Sequence, residues 1–255
     1  VMVKNTEKEV NGSWYYFGTD GTAKTGWYTL ADGRLVNYDS QGKMYHGEAK
    51  INGKWYYFDA RYGTTAQEWY KLPDGRQVYY DVDNSGNGQG MLHGMQKVGD
   101  DYYYFNEGYG TEESGLKNVN GKYYYFNPVM VKNTEKEVNG SWYYFGTDGT
   151  AKTGWYTLAD GRLVNYDSQG KMYHGEAKIN GKWYYFDARY GTTARGWYKL
   201  PDGRQVYYDV DNNGNGQGML YGMQEINGKY YYFNIGYGTQ QTGVVYNSAT
   251  QKLQY

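Results

Sequence analysis

The chain has no cysteine in its 255 residues, so it uses neither disulfides nor thiolate chemistry and is indifferent to redox compartment. It has no apolar run long enough to cross a bilayer and no secretory signal at Val1, so no membrane insertion is expected. An excess of basic residues is also missing. The 26 Lys and Arg are mixed with 27 Asp and Glu for a formal net charge of −1, which excludes a nucleic-acid footprint. Sustained helical periodicity is lacking, so helix content should be near zero. Leu, Ile and Val are too sparse for an ordinary core.

Aromatics and glycine take their place. Aromatics make up 20% of the chain, with 36 Tyr against 7 Phe, and there are 38 Gly. An interior built from these must use Tyr and Trp rings. The stretch Ile51 to Asp59, Ile-Asn-Gly-Lys-Trp-Tyr-Tyr-Phe-Asp, shows how. Asn-Gly is the strongest two-residue signal for a type I′ turn, and the aromatic run behind it favours a strand. The same grammar stands at Asn11-Gly12, Asn120-Gly121, Asn139-Gly140, Asn180-Gly181 and Asn227-Gly228. A second form uses Asp32-Gly33, Asp74-Gly75, Asp160-Gly161 and Asp202-Gly203, where Pro73 and Pro201 pre-set φ for a slightly longer turn. Gly99-Asp100-Asp101 is a worn copy.

These turns recur about every 21 residues, the mark of a solenoid or array. Over them lies a larger duplication, because Val1 to Ala66 returns unchanged as Val129 to Ala194. The expected fold is therefore all-β, a solenoid of about eleven stacked hairpins. Residues 1–128 form one repeat unit and 129–255 a second, trailing off after Gly243, the two making one continuous solenoid. A repeat that is perfect from its first residue reads as a fragment of a longer array.

Strand alternation splits each aromatic run into two faces. Phe58 and its column (Phe17, Phe105, Phe126, Phe145, Phe186, Phe233) carry no polar handle and are assigned to the core. Trp55 and Tyr57 are assigned to the groove between hairpins, within reach of a ligand.

Gly26-Trp27, Gly42-Lys43-Met44 and Asn52 to Asp59 together resemble the cell-wall-binding repeats of bacterial surface proteins. That superfamily includes choline-binding modules of lysins, glucan-binding repeats of glucansucrases and repeats of clostridial toxins. The resemblance covers almost the whole chain and implies a left-handed hairpin solenoid with ligands between neighbouring hairpins. It implies a bacterial, secreted or cell-wall-associated protein whose partner is a polysaccharide, an α-glucan or another cell-wall polymer. Carried over by motif, the ligand cage would draw on Trp27, Trp69, Trp155 and Trp197, with Glu68 replacing Gly before Trp69. It would also draw on Trp14, Trp55, Trp142 and Trp183, and on Tyr16, Tyr57, Tyr144 and Tyr185. Met95, Leu116, Met223 and Val244 stand in the Gly-Trp column elsewhere, leaving those choline-type cages incomplete.

The pairs Tyr62-Gly63, Tyr109-Gly110, Tyr190-Gly191 and Tyr237-Gly238 look closer to the glucan-binding branch, since Tyr offers a ring face and a hydroxyl to a sugar. A quaternary ammonium instead wants an enclosed, mostly Trp box. An α-glucan of the dextran type is the expected ligand, with choline-substituted teichoic acid as the alternative.

Asp81 to Gly88 and Asp209 to Gly216 begin like calcium loops, with Asp81/Asp83 and Asp209/Asp211 at the first and third positions. The twelfth positions are Leu92 and Leu220, so an extended turn is the better reading and no cofactor is expected. His46, His93 and His174 lack metal-ligand spacing and read as surface residues. No nucleophile elbow, zinc motif, phosphate loop or cysteine nucleophile is present, and no enzymatic activity is expected.

Overall fold

The computed structural model describes residues 2–83, 88–211, 216–243, 245–247 and 252–254, the last two stretches as backbone strands. Every element among them is a strand, turn or bend. In chain order the antiparallel pairs are Thr6–Val10 with Ser13–Phe17, Gly26–Thr29 with Leu35–Tyr38, and Gly47–Ile51 with Lys54–Phe58. Glu68–Lys71, Gln77–Val82 and Gly88–Met91 then make a three-stranded sheet, followed by Gly94–Val98 with Asp101–Phe105 and Gly115–Val119 with Lys122–Phe126. The second copy repeats this as Thr134–Val138 with Ser141–Phe145, Gly154–Thr157 with Leu163–Tyr166, and Gly175–Ile179 with Lys182–Phe186. Two three-stranded sheets follow, Gly196–Lys199, Gln205–Val210 and Gly216–Met219, then Gly222–Ile226, Lys229–Phe233 and Gln240–Gln241. Where the sequence pattern trails off, Val245–Asn247 still pairs with Lys252–Gln254, which makes twelve small sheets among the described residues.

Two compact units form, Val1–Val119 with Tyr125–Met130 and Asn120–Tyr124 with Val131–Tyr255. The turn chemistry follows the sequence. Asn52 and Gly53 have φ of 51° and 83°, the two positive values a type I′ turn demands. In the Asp-Gly form only the glycine is left-handed. Leu30 accepts from Gly33 N–H and donates to Arg34 C=O, both at 2.9 Å, the longer turn with its extra residue at Gly33. The strands Gly88–Met91 and Gly216–Met219 account for the two long repeat spacings. The turns leading into them, 84–87 and 212–215, lie outside the described residues, and with them most of both calcium-like loops. No group of three or more His, Cys, Asp or Glu placed to hold a metal occurs among the described residues.

Within each unit, hairpins are joined by connectors that bond back across the neighbouring hairpin. Met44 N–H donates to Trp14 C=O at 2.8 Å and Thr65 N–H to Leu35 C=O at 2.8 Å, and Met172 and Thr193 repeat both bonds in the second copy. The Phe column is fully buried from Phe58 onward, and Phe17 in the first hairpin is half-buried. On the other side of the hairpins, Leu72, Val78, Tyr80 and Met91 pack with Tyr57, and Leu200, Val206, Tyr208 and Met219 with Tyr185. Tyr38, Tyr80, Tyr166 and Tyr208 are fully buried, and none of their hydroxyls has a hydrogen-bond partner among the described residues. Burial pushes the pKa of these four hydroxyls well up, so they stay protonated.

Glu68 holds a φ of 56° at the position where Gly26, Gly154 and Gly196 sit. A side chain in that left-handed region costs roughly 1–2 kcal/mol. Glu68→Gly should therefore raise stability by about 1 kcal/mol in chemical denaturation, whereas Gly196→Glu should lower it by a similar amount. Tyr80→Phe keeps the buried ring and removes a hydroxyl that has no partner among the described residues. Its stability should be unchanged or higher by about 1 kcal/mol, and a clear loss would show that the hydroxyl has a partner.

Candidate ligand-binding site

Four grooves share one construction, two in each unit. Three are open cavities, lined in the first unit by Glu48, Trp55, Arg76, Met91 and Tyr109. In the second unit the corresponding residues are Glu135, Trp142, Arg162, Met172 and Tyr190, and then Glu176, Trp183, Arg204, Met219 and Tyr237. The remaining set, Glu7, Trp14, Arg34, Met44 and Tyr62, carries the same bonds.

Each groove is assembled by three successive hairpins. The first supplies Trp and Glu from one strand face, since Lys50 lies opposite Trp55 and Glu48 opposite Tyr57. The second supplies the arginine that follows its Asp-Gly turn. Asp74 accepts from Arg76 N–H at 3.0 Å and from Nε at 2.7 Å, so the turn carboxylate aims the side chain it precedes. Arg76 Nη2 then reaches Glu48 at 2.6 Å. Nη1 donates to the carbonyl of Tyr109 at 3.1 Å, which ties in the third hairpin. The fork recurs with Arg204 on Asp202 at 2.6 Å, Glu176 at 2.5 Å and the Tyr237 carbonyl at 3.0 Å. Arg34 holds Asp32, Glu7 and Tyr62, and Arg162 holds Asp160, Glu135 and Tyr190, in the same way. A guanidinium satisfies three directions at once, which an ammonium could not do with one geometry.

The exposed tyrosine is set by its own turn. The side chain of Asn106 accepts from Gly108 N–H and Tyr109 N–H, both at 2.9 Å, and Asp59, Asp187 and Asn234 do the same for Tyr62, Tyr190 and Tyr237. The glycine after the tyrosine has two reasons to be glycine. Gly110 has a φ of 62°, and a Cβ there would lie 2.2 Å from the sulfur of Met91. The methionine floor of the groove thus packs onto backbone that only glycine leaves bare.

The eight tryptophans have rings 37–39% exposed but stand in two different places. Trp14, Trp55, Trp142 and Trp183 belong to the grooves. Trp27, Trp69, Trp155 and Trp197 lie edge-on against Tyr56, Tyr103, Tyr184 and Tyr231 at 4.9–5.0 Å and tilt over the buried Phe of the same strand. The two Trp columns therefore do not meet in one cage. Tyr57 and Tyr185 share the strand face of Trp55 and Trp183 but are buried, because Tyr70 and Tyr198 of the following hairpin close over them at 5.2 and 5.0 Å. Tyr16 and Tyr144 are half-buried under Tyr28 and Tyr156.

Sequence reasoning had not placed the Arg, Glu and Met members of the grooves among the site residues. A signal for them exists, Asp-Gly-Arg at two hairpin turns in each copy, with a Glu on the hairpin before. His46 and His174 sit with Nδ1 3.1 Å from the carbonyls of Asp59 and Asp187. At the equivalent place His93 is replaced by Tyr221, which lines the fourth groove.

The family of putative cell wall binding repeats matches residues 8–23, 49–60, 114–128, 136–151 and 177–188. These five segments are similar to cell wall binding repeats. Among solved structures, CbpJ from Streptococcus pneumoniae is 23% identical with a TM-score of 0.71, covering 92% of this chain and 94% of that one. Choline binding protein F from Streptococcus pneumoniae is 24% identical with a TM-score of 0.67, covering 92% of each chain. The modular autolysin LytC of the same species is 19% identical with a TM-score of 0.56, and the match covers 93% of this chain but 52% of that one. These likenesses establish the hairpin-repeat fold. No curated protein matches the chain. No helix among the described residues is long and apolar enough to cross a membrane.

The turn carboxylates give the grooves a defined pH response. The hydrogen bonds from the Arg34 side chain and backbone hold Asp32 below its ordinary value, and those from Arg162 do the same for Asp160. A depressed pKa contributes stability that is full above the ordinary carboxylate value and lost as pH falls through the lower folded value. Ligand binding should therefore be flat from about pH 5 to 8 and fall only below about pH 4. Affinity electrophoresis across that range checks this, and a loss of binding already above pH 5 would show that these carboxylates do not set it.

Proposed function

We propose that this chain is a non-catalytic module of a bacterial surface or secreted protein that binds a neutral α-glucan at its four repeated grooves. The observation that carries this reading is the arginine fork beside a half-exposed Trp and an exposed Tyr. Sugars present an apolar ring face to aromatic side chains and hydroxyls to charged groups, and each groove offers both surfaces side by side. A guanidinium in the wall is a poor neighbour for a quaternary ammonium, which prefers a box of aromatic faces. The grooves are open troughs, suited to a polymer passing through rather than a head group sealed in. Four similar sites on one chain suit a repetitive polymer, since each bound contact raises the effective concentration for the next.

The second reading is choline-substituted wall polymer. It is favoured by the convergence of Trp, Tyr and Met in each groove and by the two carboxylates, Glu48 and Asp74, set against the single Arg76. One pneumococcal structure of similar fold is named choline binding protein F, and it has also been crystallised in the presence of a peptidoglycan analogue.

Dextran should retard the chain in affinity electrophoresis and millimolar choline should not release it. Trp55→Ala with Trp183→Ala should weaken dextran retention by about tenfold while the melting curve moves little, because neither ring is part of the core. Retention on a choline-type resin, with no effect of dextran, would replace the first reading by the second.

A further inference from the structure

The four grooves are not equivalent. In the first and third, the residue before the exposed tyrosine is Arg61 or Arg189, and its guanidinium carbon lies 5.0 Å from the ring centre of Tyr62 or Tyr190. In the second and fourth that residue is Gly108 or Gly236. The consequence shows in exposure. Tyr62 and Tyr190 are 52% and 51% exposed, whereas Tyr109 and Tyr237 are 70% and 71% exposed. It shows also in room, since the third groove encloses about 210 Å³ and the second and fourth about 290 and 370 Å³. Neither Arg61 nor Arg189 has a hydrogen bond or ion pair from its guanidinium among the described residues. Attraction to the ring face favours this placement, and in the third groove the Asp187 carboxylate also attracts Arg189.

We propose that the chain carries two classes of groove, and that the residue before the tyrosine decides the class. In the open class, Tyr109 and Tyr237 offer a bare ring face to a neutral sugar. In the capped class, Arg61 and Arg189 occupy the face that the sugar needs, and a neutral ring must displace the cation before it stacks. Arg61 and Arg189 are thus specificity-determining residues that weaken two of the four grooves for neutral glucan. This inference rests on the sugar reading above and ranks the grooves within it.

The chain supplies its own swap. Neither Gly108 nor Gly236 has a positive φ, and a Cβ at either would meet only an Asn side-chain oxygen at 3.5 or 3.4 Å, so both positions accept arginine. The experiment titrates the wild-type chain, the double variant Arg61→Gly with Arg189→Gly, and the double variant Gly108→Arg with Gly236→Arg with an isomalto-oligosaccharide. It follows the indole N–H signals of Trp14, Trp55, Trp142 and Trp183 by NMR, with thermal melts to confirm that each variant is folded.

In the wild type, Trp55 and Trp183 should respond at about 2- to 5-fold lower ligand than Trp14 and Trp142, the factor that an exposed cation–π contact corresponds to. Removing the arginines should bring all four signals to the tighter midpoint, and adding them should move all four to the weaker one. A common midpoint in the wild type, or midpoints that neither swap moves, overturns the two classes while leaving sugar binding intact. No response of any of the four signals overturns the sugar reading itself and this ranking with it.

Discussion

A hairpin of two five-residue strands has two faces and too little area to hold itself together in water, so each must be covered on both sides. That constraint orders everything else in each unit. Phe58 is sealed on one side by Trp27 and Tyr45 of the preceding hairpin and its connector, at 5.9 and 5.5 Å. Tyr57, pointing the other way, is sealed by Tyr70 of the following hairpin at 5.2 Å. The residues deepest in the strand are therefore covered twice over. Only the first ring of the aromatic run, next to the turn, lies beyond the edge of the covering hairpins. The groove forms where coverage runs out, which is why Trp55 is available to a ligand and Tyr57 is not.

Building that interior from tyrosine sets a second condition. A buried aromatic ring removes roughly 150–250 Å² from water, about 4–6 kcal/mol of driving force, against about 1–3 kcal/mol for a hydroxyl left unpaired. The ring wins even when the hydroxyl finds nothing. Tyr16 and Tyr144 avoid the loss by sharing a hydrogen bond with Tyr28 and Tyr156, whereas Tyr38, Tyr80, Tyr166 and Tyr208 bear it in full. The charge of the Glu–Arg pair above acts on each of these four rings, so the polar floor of the groove and the core lie in one another's field.

The fold was legible because its signals are local. Asn-Gly demands two positive φ values whatever surrounds it, and the Phe column declares a buried face by lacking a polar atom. The face of Trp55 and Tyr57 could also be read from alternation. Its depth could not, because burial of Tyr57 depends on Tyr70, thirteen residues away in the next hairpin. The cage carried over by resemblance joined Trp27 to Trp55, yet Trp27 leans on Tyr56 and Phe58, on the opposite face of the strand that holds Trp55. The arginine fork was hidden for a different reason. Its partners Glu48 and Tyr109 stand 28 and 33 residues from Arg76, and nothing in a period of about 21 residues brings them together until three hairpins are stacked.

Turn type then decides where along the chain a groove can exist. The tight Asn-Gly turn spends both central residues on left-handed backbone, leaving no side chain in a position to aim another. The longer Asp-Gly turn keeps its Asp outside the left-handed region, free to accept from both the backbone and the guanidinium of the arginine two residues on. Only hairpins with that turn can hold the fork. They come twice per copy, at Arg34 and Arg76 and again at Arg162 and Arg204, and the hairpins turning at Asp100, Asn120 and Asn139 between them lack it. Each unit thus covers all its hairpins by one hydrophobic logic but places a groove at only some of them. A one-residue difference in turn length separates hairpins that only support the stack from hairpins that complete a site.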